Sequence, residues 1–149
     1  MLSTPPVGTH TRVLVVDDEP AIRALVTKIV ERAGHPVDSA RDGADAIARL
    51  DVEDYGVLVV DLMMPNVDGY ALIDHVKARP GRRPAIIVIS AGDTAALRRL
   101  DGSMVHSILR KPFDIDVLGD LITAAAASME EDAADSKNVL PFRQNESVC

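Results

Sequence analysis

Short apolar runs alternate with longer amphipathic stretches along this chain, and this alternation constrains the fold more than any other feature. Five runs have strand character, at residues 12–16, 36–40, 56–60, 84–90 and 105–109. The first, third and fourth runs are almost continuously apolar, which is typical of parallel strands that are covered on both faces. The sequence therefore predicts an α/β domain with a largely buried parallel sheet.

Helical spacing appears between these runs. After the first run, apolar residues recur on one helix face: Ile22, Leu25, Val26, Ile29 and Val30. Gly34 follows this stretch and is a suitable residue for a helix C-terminus. Four more helices are predicted, over residues 43–50, 70–78, 94–100 and 115–129. A strand–helix unit repeated five times indicates right-handed crossovers and helices on both faces of the sheet.

Composition limits the possible functions. The chain has 149 residues, enough for one domain with a proper core, and 16 Lys plus Arg against 23 Asp plus Glu leave a net charge of −7. An acidic chain is poorly suited to nucleic acid, so we expect no nucleic-acid partner. No apolar run approaches the roughly 20 residues of a membrane span, so we expect no membrane insertion. The single cysteine, Cys149, fits a cytoplasmic protein.

The ends of the chain differ in character from its middle. Residues 1–11 have neither the basic nor the apolar region of a secretory signal and are predicted to be an N-terminal extension. Residues 12–129 form the predicted domain. Residues 130–149 are acidic and polar, and we expect a frayed helix end followed by a flexible tail.

Ionisable or hydroxyl side chains stand at the carboxyl ends of four predicted strands. They are Asp17, Asp18 and Glu19 after the first strand, Asp61 after the third, Ser90 at the end of the fourth and Lys111 after the fifth. Ligands of doubly wound sheets bind outside these strand ends. Carboxylates that share a cleft repel one another, and Mg²⁺ with oxygen ligands removes the conflict. A carboxylate nucleophile beside Mg²⁺, a lysine and a hydroxyl indicates an aspartyl-phosphate site.

Four segments resemble the receiver domain of two-component response regulators. They are VLVVDDEP at residues 13–20, VVDLMMPNVDGY at 59–70, VISAGD at 88–93 and LRKPF at 109–113. The resemblance covers about residues 12–128. It implies a flavodoxin-like, doubly wound sheet of five parallel strands in the order 2-1-3-4-5, with five helices.

The resemblance also implies roles for individual residues. Asp61 looks like the phosphoacceptor. Asp18 would bind Mg²⁺ directly, Asp17 mainly through water, and Met63 through its backbone carbonyl. Two further residues would contact the phosphoryl group: Ser90 by a hydrogen bond and Lys111 by its charge. The bond between Lys111 and Pro112 is cis in family members.

The function that follows from the resemblance is signalling rather than enzymatic turnover. We expect a stand-alone receiver, like those of chemotaxis, in a cytoplasmic phosphorelay. Its phosphoryl donor would be the phosphohistidine of a sensor histidine kinase or of a histidine phosphotransfer protein. Its output would be contact with a downstream protein, because no further domain follows. The sequence does not predict the oligomeric state.

One departure from the family leaves an alternative open. The family usually has Tyr or Phe three positions before the lysine, where this chain has Ile108, so the resemblance does not predict the route of the output signal. A receiver-like binding module that is never phosphorylated is the first alternative. A phosphohydrolase of the haloacid-dehalogenase type is the weaker alternative. Those enzymes have an Asp-x-Asp motif after the first strand, whereas Asp61 follows the third strand and precedes Leu62 and Met63.

Overall fold

In a computed structural model of the chain, strands and helices alternate along the described residues between 13 and 90. The structure describes residues 11–62, 69–79, 83–91 and 105–137, with side chains as far as residue 129. The elements are β1 (Val13–Val16), α1 (Pro20–Arg32), β2 (Val37–Ala40), α2 (Gly43–Val52), β3 (Val57–Asp61), α3 (Gly69–Ala78), β4 (Ala85–Ser90), β5 (Val105–Arg110) and α4 (Ile115–Lys137). Every strand begins and ends within one residue of its predicted bounds.

The five strands form one sheet in the order β2-β1-β3-β4-β5, and every neighbouring pair is parallel. This confirms the predicted flavodoxin-like, doubly wound architecture and its strand order. The described residues contain four of the five predicted helices. The helix predicted over residues 94–100 lies outside them.

Two apolar cores lie on opposite faces of the sheet because successive strand residues point to opposite sides. One core joins alternate strand residues to α2 and α3: Leu14, Val16, Leu58, Val60, Leu50, Leu72 and Val76. The other joins the intervening strand residues to α1 and α4: Val13, Val15, Val57, Val59, Val26, Val30, Leu118 and Ile122. The continuous apolar runs of the sequence are therefore explained by burial on both faces.

The helices differ from prediction mainly at their ends. Helix α1 stops at Arg32, and Gly34 follows with a φ of 93°, a left-handed conformation that favours glycine. Helix α4 extends past residue 129 to Lys137, in the segment where a frayed helix end was expected, because the acidic, alanine-containing sequence of residues 130–137 holds no helix breaker. None of the helices in the described residues combines the length and apolarity needed to cross a membrane.

Candidate functional site

The predicted site residues meet at one edge of the sheet. Asp17 directly follows β1, Asp61 ends β3, Ser90 ends β4 and Lys111 directly follows β5. The strand register brings these ends together, since Asp61 is paired with Ile89 and Ser90 with Arg110. Parallel strands expose their carboxyl ends at a common edge, and the structure places all four residues there.

Three carboxylates crowd this edge. Asp17, Asp18 and Asp61 each offer one carboxylate oxygen such that these oxygens lie within 4.8 Å of one another. Asp17 and Asp61 are buried, whereas Asp18 is partly exposed. Hard oxygen donors in a cluster of few carboxylates fit Mg²⁺, which keeps part of its water shell. The cluster could therefore hold a divalent cation whose charge offsets the repulsion among the carboxylates.

The β1–α1 turn fixes Asp17. Its Oδ1 accepts a hydrogen bond from the Glu19 backbone N–H at 2.9 Å, and its carbonyl oxygen accepts one from Arg23 Nη1 at 2.8 Å. Burial is the main reason that the pKa of Asp17 rises from 3.8 to about 6. The bond from Glu19 lowers this pKa, and the nearby charge of Asp61 raises it. Asp17 is thus ionised at neutral pH against a substantial desolvation cost.

Lys111 supplies positive charge to the cluster. Its Nζ lies 3.2 Å from Glu19 Oε1, 3.4 Å from Asp61 Oδ2 and 3.8 Å from Asp17 Oδ2. Burial works to lower the pKa of Lys111, but the charges of Asp17 and Asp61 and the hydrogen bonds to Glu19 and Asp61 outweigh it, so the pKa rises. Lys111 therefore stays a cation across the physiological pH range.

The backbone on either side of Lys111 connects it to the sheet. The Lys111 backbone N–H donates a 3.0 Å hydrogen bond to the carbonyl oxygen of Ser90. The peptide bond between Lys111 and Pro112 is cis, as the family resemblance implied. Ser90 itself is completely buried at the end of β4. The hydroxyl-bearing residue and the lysine are thus linked directly through the main chain.

Glu19 is a site residue to which sequence reasoning assigned no role. It is the third acidic residue after the first strand, and its carboxylate lies closer to Lys111 Nζ than those of Asp17 and Asp61. Unlike Asp17 and Asp61, its side chain is 60% exposed. The signal that could have identified it was its place at the same sheet edge as Lys111.

Gly69 is the first residue of α3 and lies directly against the end of β3. A Cβ at this position would lie 2.6 Å from Leu62 Cα and 2.7 Å from the carbonyl oxygen of Asp61. The Gly69 backbone N–H also donates to the carbonyl oxygen of Leu62 at 3.1 Å. Only a residue without a side chain allows α3 to begin this close to the end of β3.

Two further predictions concern Met63 and Ile108. Met63, the expected backbone ligand of Mg²⁺, lies outside the described residues. Ile108 occupies the position of the family's aromatic residue, on the edge strand β5, and its side chain is 44% exposed. This position therefore presents an apolar surface to solvent.

Comparison with known sequences identifies relatives of this chain. The sequence model of the response regulator receiver domain matches residues 13–123. The transcriptional regulatory protein TcrA of Mycobacterium tuberculosis is 35% identical over 108 residues, which cover 72% of this chain and 42% of TcrA. The transcriptional regulatory protein ResD of Bacillus subtilis is 32% identical over 140 residues, covering 89% of this chain and 57% of ResD. The chain thus spans about half the length of these relatives.

Solved structures give the same answer. The receiver domain of the Francisella response regulator 1452 superimposes with a TM-score of 0.70 and 28% identity, covering 83% of this chain and 99% of that domain. The signal receiver domain of a Luxo repressor protein from Vibrio parahaemolyticus has a TM-score of 0.75 at 20% identity, over 84% of this chain and 96% of that one, and supports the fold alone. On these matches, the chain belongs to the response regulator receiver domain family of two-component systems.

Proposed function

We propose that Asp61 accepts a phosphoryl group from a phosphohistidine, in a step that depends on Mg²⁺. The observation that carries this proposal is the meeting of three carboxylates with one lysine. The oxygens of Asp17, Asp18 and Asp61 approach within 4.8 Å of one another, and Lys111 Nζ lies 3.4 Å from Asp61 Oδ2. The donor would be a sensor histidine kinase or a histidine phosphotransfer protein.

The transfer is a substitution at phosphorus. A carboxylate oxygen of Asp61 forms the new O–P bond while the N–P bond of the phosphohistidine breaks, and its electron pair stays on the imidazole nitrogen. Such transfer depends on in-line positioning and on neutralising the charge of the equatorial oxygens. Lys111 supplies one positive charge for this purpose, and the hydroxyl of Ser90 supplies a hydrogen-bond donor.

The carboxylates would bind the metal in different ways. Asp18 and Asp61 would bind Mg²⁺ directly, Asp17 mainly through water, and Met63 through its carbonyl oxygen. When bound, the ion supplies further neutralisation of the charge on the transferred group. The burial of Asp17 and Asp61 supports this assignment, because a nearby dication would offset the cost of holding two ionised carboxylates away from water.

The proposed output is contact with a downstream protein. A phosphoryl group on Asp61 would draw Ser90 and Lys111 towards it and bias a two-state region of the domain. Because the Lys111 backbone N–H is bonded to the Ser90 carbonyl oxygen, these two residues would move together. The predicted helix at residues 94–100 would belong to that region. The location in the cytoplasm and the absence of a nucleic-acid partner remain predictions.

The test is phosphorylation of the purified protein by a panel of histidine kinases with Mg²⁺, read by mass spectrometry and peptide mapping. We expect one alkali-labile acyl phosphate on Asp61 and none on the Asp61→Asn variant. Labelling that persists in that variant would overturn the assignment. Failure to bind beryllofluoride with Mg²⁺ would favour the non-phosphorylated binding module, and turnover of a small phosphate ester would favour the phosphohydrolase.

A further inference from the structure

Glu19 occupies the N-cap position of α1 but does not cap the helix. Its side chain makes no capping hydrogen bond, and glutamate is not among the residues preferred at that position. Instead, its Oε1 accepts a hydrogen bond from Lys111 Nζ at 3.2 Å, across 92 residues of sequence. The carboxylate is therefore directed towards the site and away from its own helix.

The main chain of Glu19 is fixed, whereas its side chain can move. Its backbone N–H donates to Asp17 Oδ1 at 2.9 Å, and its carbonyl oxygen accepts from the Arg23 N–H at 2.9 Å. The side chain is 60% exposed, while those of Asp17 and Asp61 are almost completely buried. Among the three carboxylates that pair with Lys111 in the described residues, Glu19 is thus the one that can exchange the ammonium group for water at little cost.

We propose that Glu19 is a positioning residue that holds Lys111 while Asp61 is unphosphorylated and competes with the phosphoryl oxygens for it. This inference rests on the proposed function of Asp61. An ammonium group that is partly neutralised by Glu19 stabilises the incoming phosphoryl group less. The carboxylate of Glu19 also adds negative charge beside a site that must receive an anion. Both effects restrain phosphorylation, so removal of this charge favours the phosphorylated state.

The first experiment measures the affinity for beryllofluoride, with Mg²⁺, in the full chain. We expect Glu19→Gln to bind beryllofluoride about two- to fivefold more tightly than the wild type, the range typical of an exposed ion pair. The matched control is Glu31→Gln, which removes the same charge from an exposed position in the last turn of α1. Equal affinities of Glu19→Gln and wild type would overturn the proposal.

A double-mutant cycle with Lys111→Met tests the route of the effect. If Glu19 acts by holding Lys111, its substitution changes the affinity less, or not at all, when Lys111 is absent. An undiminished gain in that background would mean that Glu19 only repels the anion, and would overturn the positioning role.

A second measurement needs neither metal nor phosphoryl analogue. In the metal-free protein, the Lys111 ammonium protons should exchange with solvent faster in Glu19→Gln than in the wild type or in Glu31→Gln, as followed by nuclear magnetic resonance. Unchanged exchange would contradict the contact. If the wild type binds beryllofluoride and Glu19→Gln behaves identically, only this inference fails. If the wild type neither binds beryllofluoride nor is phosphorylated, the proposed function fails, and the inference about Glu19 that rests on it fails as well.

Discussion

Lys111 Nζ lies 3.4 Å from Asp61 Oδ2, although 50 residues separate the two in sequence. The Asp61 side chain is only 4% exposed and that of Lys111 17%, so the pair is screened from water on most sides. An ion pair in such a place is costly to form, but breaking it leaves an uncompensated buried charge. Lys111 therefore stabilises the fold at this site, in addition to its proposed role in phosphoryl transfer.

Replacement of Lys111 by methionine should destabilise the metal-free protein. Asp17 and Asp61 would lose their shared buried partner, and we expect the free energy of unfolding at pH 7 to fall by about 2–4 kcal/mol. Urea denaturation would measure the change. Lys28→Met is the control, because Lys28 is exposed on α1. A loss no larger than that of the control would contradict the structural role of Lys111.

Substitution of Asp17 by asparagine should stabilise the metal-free protein in a pH-dependent way. Because folding raises the pKa of Asp17 from 3.8 to about 6, the folded state binds more protons in that window, and wild-type stability falls as pH rises through it. Asp17→Asn removes this cost. We expect a gain of up to about 3 kcal/mol at pH 7 that shrinks towards zero below about pH 4.

Chemical denaturation in the presence of a chelator, at several pH values between 4 and 7, would follow this difference. Asp74→Asn is the control, since Asp74 is exposed on α3. A gain that is constant with pH would show that the effect has another origin than the ionisation of Asp17.

Mg²⁺ should stabilise the wild-type fold and lose that effect without Asp18. A ligand that binds only the folded state at 100 times its dissociation constant adds about 2.7 kcal/mol to the free energy of unfolding. We expect the melting temperature to rise with Mg²⁺ in the wild type and in Asp74→Asn, but not in Asp18→Asn. Asp18 is chosen because it is partly exposed, so its substitution disturbs the core least. Equal rises of the melting temperature in all three proteins would show that Mg²⁺ binds at another site.

Gly69→Ala should destabilise the protein because the new methyl group would meet backbone atoms of Asp61 and Leu62. Neighbouring main chain cannot move as a side chain can, and we expect a cost of about 1–3 kcal/mol. Gly119→Ala is the matched substitution, since its Cβ would find Ile29 Cγ2 at an ordinary 3.7 Å inside a helix, where alanine gains about 0.5–1 kcal/mol. Thermal denaturation of both variants would show opposite signs. A neutral Gly69→Ala would contradict the close approach.

The sequence predicted the parts of this structure that depend on regular periodicity. Nearly continuous apolar runs marked β1, β3 and β4, because these strands are buried on both faces. The strand ends then identified Asp17, Asp61, Ser90 and Lys111, since parallel strands must deliver their last residues to one edge. The family resemblance added the strand order, which the spacing of apolar residues alone does not contain.

Other features depend on information that sequence periodicity lacks. The position of Glu19 and Lys111 at one sheet edge indicates that they are near each other, but their contact also depends on which way two flexible side chains turn. A frayed helix end was expected after residue 129, but its extent to Lys137 was not predicted, because a polar segment without a breaker is compatible with both helix and coil. Leu25 belongs to the apolar face predicted for α1, yet it is 37% exposed, and periodicity alone does not show which members of such a face are covered.

The strand that carries Lys111 lies at the border of the sheet, whereas those that carry the carboxylates lie inside it. Within the described residues, β5 is hydrogen-bonded to β4 alone, while β1 and β3 each have a neighbour on both sides. A movement of β5 that carries Lys111 therefore disrupts the hydrogen bonds to one neighbouring strand, whereas a movement of β1 or β3 disrupts those to two. The carboxylates are therefore held more rigidly than Lys111, and we expect Lys111 to move first when the charge at Asp61 changes.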